Sequence, residues 1–152
     1  MHQIIPLTII GARATSNASS KLQAHNVLTM DRTEWAVQVD STKGLHTLTF
    51  ELESTATIVE VYIQHGSRGR TFTMMDVRKS GDNSSINVAA LPPGPSCTFR
   101  LADSVTSNLI NLLFDPQHVT GNSCAAGLQY VSMKGYIPEP ADENSGRAAK
   151  RR

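Results

Sequence analysis

The side chains that most often carry catalysis or hold metals are scattered through this sequence. The five histidines show no spacing of two or four residues that would let a pair hold a metal ion. There is no nucleophile elbow, no H-E-x-x-H, no C-x-x-C and no phosphate-binding loop. Glu51 and Glu53 would share one strand face, as glycosidase carboxylates do, but a solvated strand edge explains them better. We therefore expect a protein that is not an enzyme and that uses no metal or cofactor.

A group of cations is the more informative feature. Four of them bracket a predicted strand from Thr71 to Val77, namely Arg68, Arg70, Arg78 and Lys79. Such a group could bind a phosphate or an acidic peptide, since guanidinium groups match both. Ordinary loop charge is the alternative, because Asp76 and Asp82 neutralise part of it.

The strand between these cations carries unusual apolar side chains. In an extended strand, Phe72 and Met74 would share one face, and Thr73 and Met75 the other. If one face belongs to the core, the other exposes a methionine, a side chain that suits adaptable binding surfaces. Burial on both faces is the alternative. We predict that this strand is the face that binds a partner protein.

The elements that would position these residues are strands. Apolar and polar residues alternate with period two in short segments bounded by Gly, Pro, Asn or Ser. The segments are Trp35–Val39, Leu45–Leu52, Thr57–Ile63, Thr71–Arg78, Ile86–Ala90, Cys97–Leu101, Asn108–Phe114 and Leu128–Gly135. About eight strands without a long amphipathic helix predict an all-β fold, an antiparallel sandwich or barrel. One short helix is expected over Ser19–Leu28, capped by Ser19 or Ser20.

The alternation also predicts the core. The apolar members of the strands should be buried, namely Trp35, Leu48, Phe50, Val61, Ile63, Leu112 and Val131. In the strand Thr57–Ile63 we expect Val59, Val61 and Ile63 to face the same way. Trp35, the one tryptophan, is interpreted as a core anchor, and a ligand platform at the loop end is the alternative.

Length and charge define a folded domain and a tail. A chain of 152 residues fits one domain, which we place at residues 1–137, followed by a polar, basic tail at 138–152. The chain has 14 basic and 13 acidic residues. The last 14 positions hold four of the basic and three of the acidic residues, so the rest of the chain has ten of each and no net charge. A neutral body predicts only weak, salt-sensitive DNA contact, carried by the tail cations Arg147, Lys150, Arg151 and Arg152. The same residues suit a nuclear-import signal.

The cellular compartment follows from the first residues and from the cysteines. The apolar start is broken by Pro6 and lacks a basic flank, so it reads as a first strand and not as a signal peptide. Cys97 and Cys124 are then expected to be reduced and structural. No apolar segment reaches the ~18 residues of a membrane span, so no membrane contact is expected.

The order of several motifs resembles the discoidin-like, or galactose-binding-like, jelly-roll sandwich. The resemblance rests on Ala24–Leu28 (AHNVL), a charged loop before Trp35, the strands LTFEL and IVEVYI, a Gly-Ser turn, and GLQYV at Gly127–Val131. It covers about residues 4–137. Within that superfamily, the sequence is most similar to the N-terminal domains of X-ray cross-complementing DNA-repair scaffolds.

This resemblance implies a non-catalytic scaffold of single-strand-break repair in the nucleus, docking a DNA polymerase of the beta type. The family's polymerase contact maps onto Phe72, Met74 and Val88, although Met74 replaces an acidic residue. A subunit of intraflagellar transport or another ciliary assembly, in the cytoplasm or cilium, is the first alternative. A carbohydrate-binding module is the second, and the absence of glycine from the loop Thr29–Glu34 argues against bound calcium.

Overall fold

Strands make up most of the described part of the chain in the computed structural model. It describes residues 3–15, 23–29, 33–38, 46–66, 69–81, 87–91, 94–115, 119–121 and 125–138, with the backbone alone at 38, 69, 70, 120, 121 and 125. The strands are β1 (Ile5–Pro6), β2 (Ile9–Ala14), β3 (Trp35–Gln38), β4 (His46–His65), β5 (Gly69–Phe72), β6 (Met74–Lys79), β7 (Val88–Ala90), β8 (Ser96–Phe114), β9 (Val119–Gly121) and β10 (Ala125–Tyr136).

Two very long strands, β4 and β8, pair with each other and build both layers of a sandwich. The first half of β4 pairs with β2 and with the end of β8, whereas its second half pairs with β10 and with the start of β8. The β4–β8 register shifts between Glu51 and Ala56 and again between Ile58 and Glu60. Such irregularities bend a strand and increase its twist, so the sheet folds over on itself.

We call the two layers A and B. Layer A contains β2, the first half of β4, the second half of β8, β6 and β7. Layer B contains the other halves of β4 and β8 together with β10, β1, β3, β5 and β9. The described pairs are antiparallel except β10 with β5. The predicted antiparallel β-sandwich is confirmed.

The second half of β4 shows where simple alternation fails. Ile58 is fully buried and Val59 is only half-buried, although alternation placed Val59 with Val61 and Ile63. The register shift between Ile58 and Glu60 is the reason, because an extra residue reverses which face the preceding side chains occupy. The predicted orientation of Val59 is therefore wrong.

The predicted helix is present only as a short 3-10 turn. It spans Ala24–Leu28 and is preceded by Gln23, which makes no capping hydrogen bond through its side chain. Ser19 and Ser20 lie outside the described residues. Ala24 and Val27 of this turn are buried against the strands, so packing holds it in place.

Three aromatic rings fill the core between the layers. Trp35 of β3 lies 6.1 Å from Phe72 of β5 and 5.9 Å from Phe114 of β8, and the two phenylalanine rings are 4.7 Å apart. All three side chains are fully buried, as is each of the seven residues predicted for the core. The interpretation of Trp35 as a core anchor is confirmed.

Gly127 allows β3 and β10 to approach each other. A Cβ atom at this position would collide with the carbonyl oxygen of Trp35 and with Ala36. Because the obstacle is backbone, no rotation of a side chain could relieve it. Gly127 therefore fixes the distance between the strand that carries Trp35 and the strand that leads toward Tyr130.

Candidate ligand-binding site

A polar cleft opens at the end of the sandwich opposite the bend in β4. His46 pairs with Phe114 in layer A, while His65 pairs with Leu128, which in turn pairs with Trp35 in layer B. Since Trp35 packs on Phe114, the two ends of β4 meet at the same end of the sandwich. The cleft there measures about 520 Å³ and is lined by Gln64, His65, Gly66, Thr71, Gly94, Pro95, Ser96 and Gln129.

The turn before β8 builds one wall of the cleft. Ser96 pairs with Gln64 across the β4–β8 ladder, and the His65 amide donates a hydrogen bond of 2.9 Å to the Pro95 carbonyl. Gly94 has a φ of 131°, a conformation that side chains strongly disfavour. Gly94 and Pro95 thus have a structural role, because they close the ladder beside the cleft.

A β-bulge in β10 places Gln129 in the lining of the cleft. Leu128 pairs with His65 and Tyr130 with Gln64, so Gln129 is the extra residue between two consecutive pairs. A bulge re-aims the side chain of the inserted residue, and bulges are common beside binding sites. Below it, the Gly66 amide donates a hydrogen bond of 2.9 Å to the Gly127 carbonyl and holds the end of β4 against β10.

Among the described residues that line the cleft, His65 is the one with a titratable side chain. It is only 7% exposed, and its Nδ1 makes no hydrogen bond within the described part of the chain. Burial lowers the pKa of His65 below the ordinary histidine value, because removal from water disfavours the charged imidazolium. The imidazole is therefore neutral near pH 7 and offers one donor and one acceptor.

The lining residues together offer neutral hydrogen-bonding groups. They are two amides, an imidazole and two hydroxyls, beside glycine and proline backbone. In the segments that the structure describes, no three His, Cys, Asp or Glu side chains lie close enough together to hold a metal ion. Groups of this kind orient a polar, uncharged ligand by hydrogen bonds.

Two residues predicted for the partner face lie in the core. Phe72 and Met75 are each 1% exposed. The predicted single strand is two strands, because β5 ends at Phe72 and β6 begins at Met74. The break at Thr73 changes the alternation, so Phe72 and Met75 both face inward. Their assignment to a surface that a partner touches is wrong.

Other residues of the predicted face do reach the surface. Met74 is half-buried, and Val88 on the neighbouring strand β7 is 44% exposed. Met74 is thereby the more exposed member of the methionine pair. The pair Met74 and Val88 lies at the edge of layer A, since β7 is the last strand in the order of the sheet.

The predicted cation cluster is divided between the layers. Arg70 lies at the start of β5 in layer B, whereas Arg78 and Lys79 end β6 in layer A. The Arg78 Nε and Nη2 atoms each lie 2.7 Å from Asp76 Oδ2, so Arg78 serves an internal ion pair on its own strand. Lys79 is exposed. Arg68 and the tail cations Arg147, Lys150, Arg151 and Arg152 lie outside the described residues.

Sequence reasoning missed the residues that line the cleft. Gln64 and Gln129 belong to predicted strands but were not recognised as site residues. No signal in the sequence marks the bulge at Gln129, because a bulge depends on the partner strand. Gly94 and Pro95 are the available signal, since glycine and proline form turns that place strand ends beside each other.

Comparison with solved structures places the fold among discoidin-like domains. A family 32 carbohydrate-binding module of Clostridium perfringens NanJ, solved with galactose, matches with a TM-score of 0.69 at 12% identity, over 87% of this chain and 99% of that one. Chitosan-binding module 2 of a Paenibacillus chitosanase/glucanase, solved with chitotriose, matches with a TM-score of 0.64 at 12% identity, over 81% and 94%.

A third similar structure is an F5/8 type C domain from Bacteroides fragilis, with a TM-score of 0.61 at 12% identity, over 87% of this chain and 98% of that one. No protein-family model and no curated protein matches the sequence. Within the described residues, no helix has the length and apolar character needed to span a membrane. The comparisons show that this chain has the discoidin-like β-sandwich fold.

The buried imidazole predicts a pH-dependent stability. The unfolded chain takes up a proton on His65 near pH 6.5, whereas the folded chain takes it up only at lower pH. The unfolding free energy should therefore fall as the pH drops below about 6.5. Denaturant titrations of the wild type and His65→Gln between about pH 7.5 and pH 5 measure this, and the variant should show a shallower fall. Parallel curves for the two proteins would contradict the assignment.

Proposed function

We propose that this chain is a non-catalytic carbohydrate-binding module that holds a neutral sugar in the polar cleft. The observation that carries the proposal is the neutral, hydrogen-bonding chemistry of the lining residues that the structure describes, among them Gln64, His65, Ser96 and Gln129. Sugar hydroxyls both donate and accept hydrogen bonds. Amide, imidazole and hydroxyl groups can likewise act as donors and as acceptors. A phosphate or carboxylate ligand would instead require cations.

The position of the cleft also supports a sugar ligand. It lies at the strand ends, where a bulge and a glycine-proline turn project polar groups from a rigid sheet. Side chains on a rigid scaffold lose little freedom when they bind, which matters for small ligands that make few contacts. The solved modules with galactose and with chitotriose share this fold, which makes sugars the first ligands to test.

Removal of the Gln129 side chain tests the proposal. Gln129→Ala should weaken the binding of a monosaccharide about three- to tenfold, because one or two hydrogen bonds to the ligand are lost. NMR-detected titrations with galactose, glucose and N-acetylglucosamine measure the affinity. Gln3→Ala is the matched control, since it makes the same change at an exposed residue near the opposite end of β10. Equal weakening by both variants, or no binding of any of these sugars, would contradict the proposal.

A second candidate function is protein docking at the β6–β7 edge. The specific observation is the exposed Val88 beside the half-buried Met74, at the last strand of layer A. A DNA polymerase of the beta type is the partner that the repair-scaffold resemblance suggests, and a ciliary transport subunit is the alternative.

Met74→Asp tests this second candidate. A charge at the centre of such an interface should cost at least ~2 kcal/mol of binding while the fold persists, because Met74 lies outside the core. Pull-downs with polymerase beta and with ciliary transport subunits provide the readout. Ile10→Asp, at a residue 57% exposed on β2, is the control. Retention of a partner by the Met74 variant would exclude this edge.

A further inference from the structure

The outer face of layer B carries an uncharged stripe that begins at the cleft. Tyr62 and Gln64 of β4 lie in its centre, paired with Thr98 and Ser96 of β8 on one side and with Ser132 and Tyr130 of β10 on the other. Residues two apart in a strand project on the same face, so these six side chains form one surface. We call it the tyrosine platform. Gln64 and Ser96 belong both to it and to the cleft wall.

The platform has an ordered pair of rings at its centre. Tyr62 and Tyr130 meet edge to face, with ring centroids 6.1 Å apart and planes inclined by 61°. The Gln64 Nε2 donates a hydrogen bond of 2.9 Å to the Tyr62 hydroxyl, which keeps its own hydrogen for another acceptor. Both rings are half-buried and so present part of their surface to solvent.

Along these strands, the first charged side chains that the structure describes lie beyond the platform. The next row along the strands holds Arg100, Glu60 and Lys134. Arg100 Nη1 lies 3.8 Å from Glu60 Oε1, so part of this charge is paired within the sheet. The platform is therefore a neutral strip bounded by the cleft at one end and by charged side chains at the other.

This chemistry favours a sugar chain over a protein. The centre of a protein interface is usually rich in apolar side chains, whereas the platform holds two tyrosines, one amide and three small hydroxyls. Tyrosine rings present an apolar surface to the C–H groups of a pyranose, and their hydroxyls meet its O–H groups. A neutral occupant also matches the absence of charge on these six residues.

We infer that the tyrosine platform binds the further rings of a neutral oligosaccharide whose terminal ring occupies the cleft. The inference rests on the proposed function and adds the ligand class, an extended chain in place of a single sugar. Rows of side chains two residues apart lie about 7 Å apart along a strand, so the strip from the cleft to Arg100 has room for about two more rings. The rings would lie over Tyr62 and Tyr130.

Affinity measured against chain length tests the inference. Galactose, glucose, N-acetylglucosamine and the β-1,4-linked trisaccharide of each are titrated into the full chain. The trisaccharide should bind about tenfold tighter than its monosaccharide, because the added rings contact the platform. Tyr130→Ala should abolish this gain and leave the monosaccharide affinity unchanged to within about twofold.

Control variants distinguish the loss of the Tyr130 ring from a loss of folding. Tyr130→Phe keeps the ring and should keep most of the gain, and Tyr136→Ala makes the same truncation on β10 outside the platform. Thermal unfolding confirms that each variant is folded. Thr98→Arg is a second test that does not touch the core, because Thr98 is exposed and pairs with Tyr62. Its long charged side chain should cover the platform and lower only the trisaccharide affinity.

The outcomes distinguish the inference from the proposed function. Equal affinities for monosaccharide and trisaccharide overturn the inference alone, as does a gain that survives both Tyr130→Ala and Thr98→Arg. Absence of binding to every monosaccharide and trisaccharide overturns both. A gain lost in both variants and retained in Tyr136→Ala supports the platform as the site of the additional rings.

Discussion

The packing of Trp35 against Phe72 and Phe114 is the contact on which the rest of the structure depends. The two layers come from one sheet folded at the bend in β4, and core packing holds them together at the end opposite the bend. There the three rings join β3 and β5 of layer B to the end of β8 in layer A. Aromatic groups of this size bury the largest apolar surface per residue, and mutual contact adds to that burial. The walls of the cleft are held by the same contact.

The strand that carries Trp35 also approaches the backbone of β10 closely, directly beneath the cleft. Trp35 can pair with Leu128 only because Gly127 has no side chain to strike its carbonyl group. The strand then carries an extra residue, Gln129, before it regains its register at Tyr130. One constraint thus places an amide in the cleft and a tyrosine on the outer face. The cleft and the platform are two consequences of how β10 fits between β3 and β4.

Much of the fold could be predicted because it depends on local alternation. Leu48, Phe50 and Leu112 follow the period of two and are buried as predicted. The predictions fail where pairing with a neighbouring strand, or a break in the strand, determines which way a side chain faces. Val59 is displaced by a register shift against β8, and Phe72 faces inward because the chain breaks at Thr73. The resemblance to the discoidin-like superfamily predicted the sandwich architecture, whereas the parallel pairing of β10 with β5 was not predicted, because no local pattern could show it.

The candidate site was harder to predict for a physical reason. Clustered cations and methionines in a sequence indicate a binding surface. Here, however, Arg78 forms an ion pair with Asp76, and Met75 is buried in the core. Glutamine residues give no such signal in a sequence. Gln129 lines the cleft because of the bulge in β10, and Gln64 lines it because it lies at the end of the β4–β8 ladder. The central claim, that a neutral sugar binds at this end of the sandwich, is tested most directly by mapping ligand-induced changes in amide NMR shifts. The account predicts changes at Gln64–Gly66, Gly94–Ser96 and Gln129, whereas changes confined to β6 and β7 would contradict it.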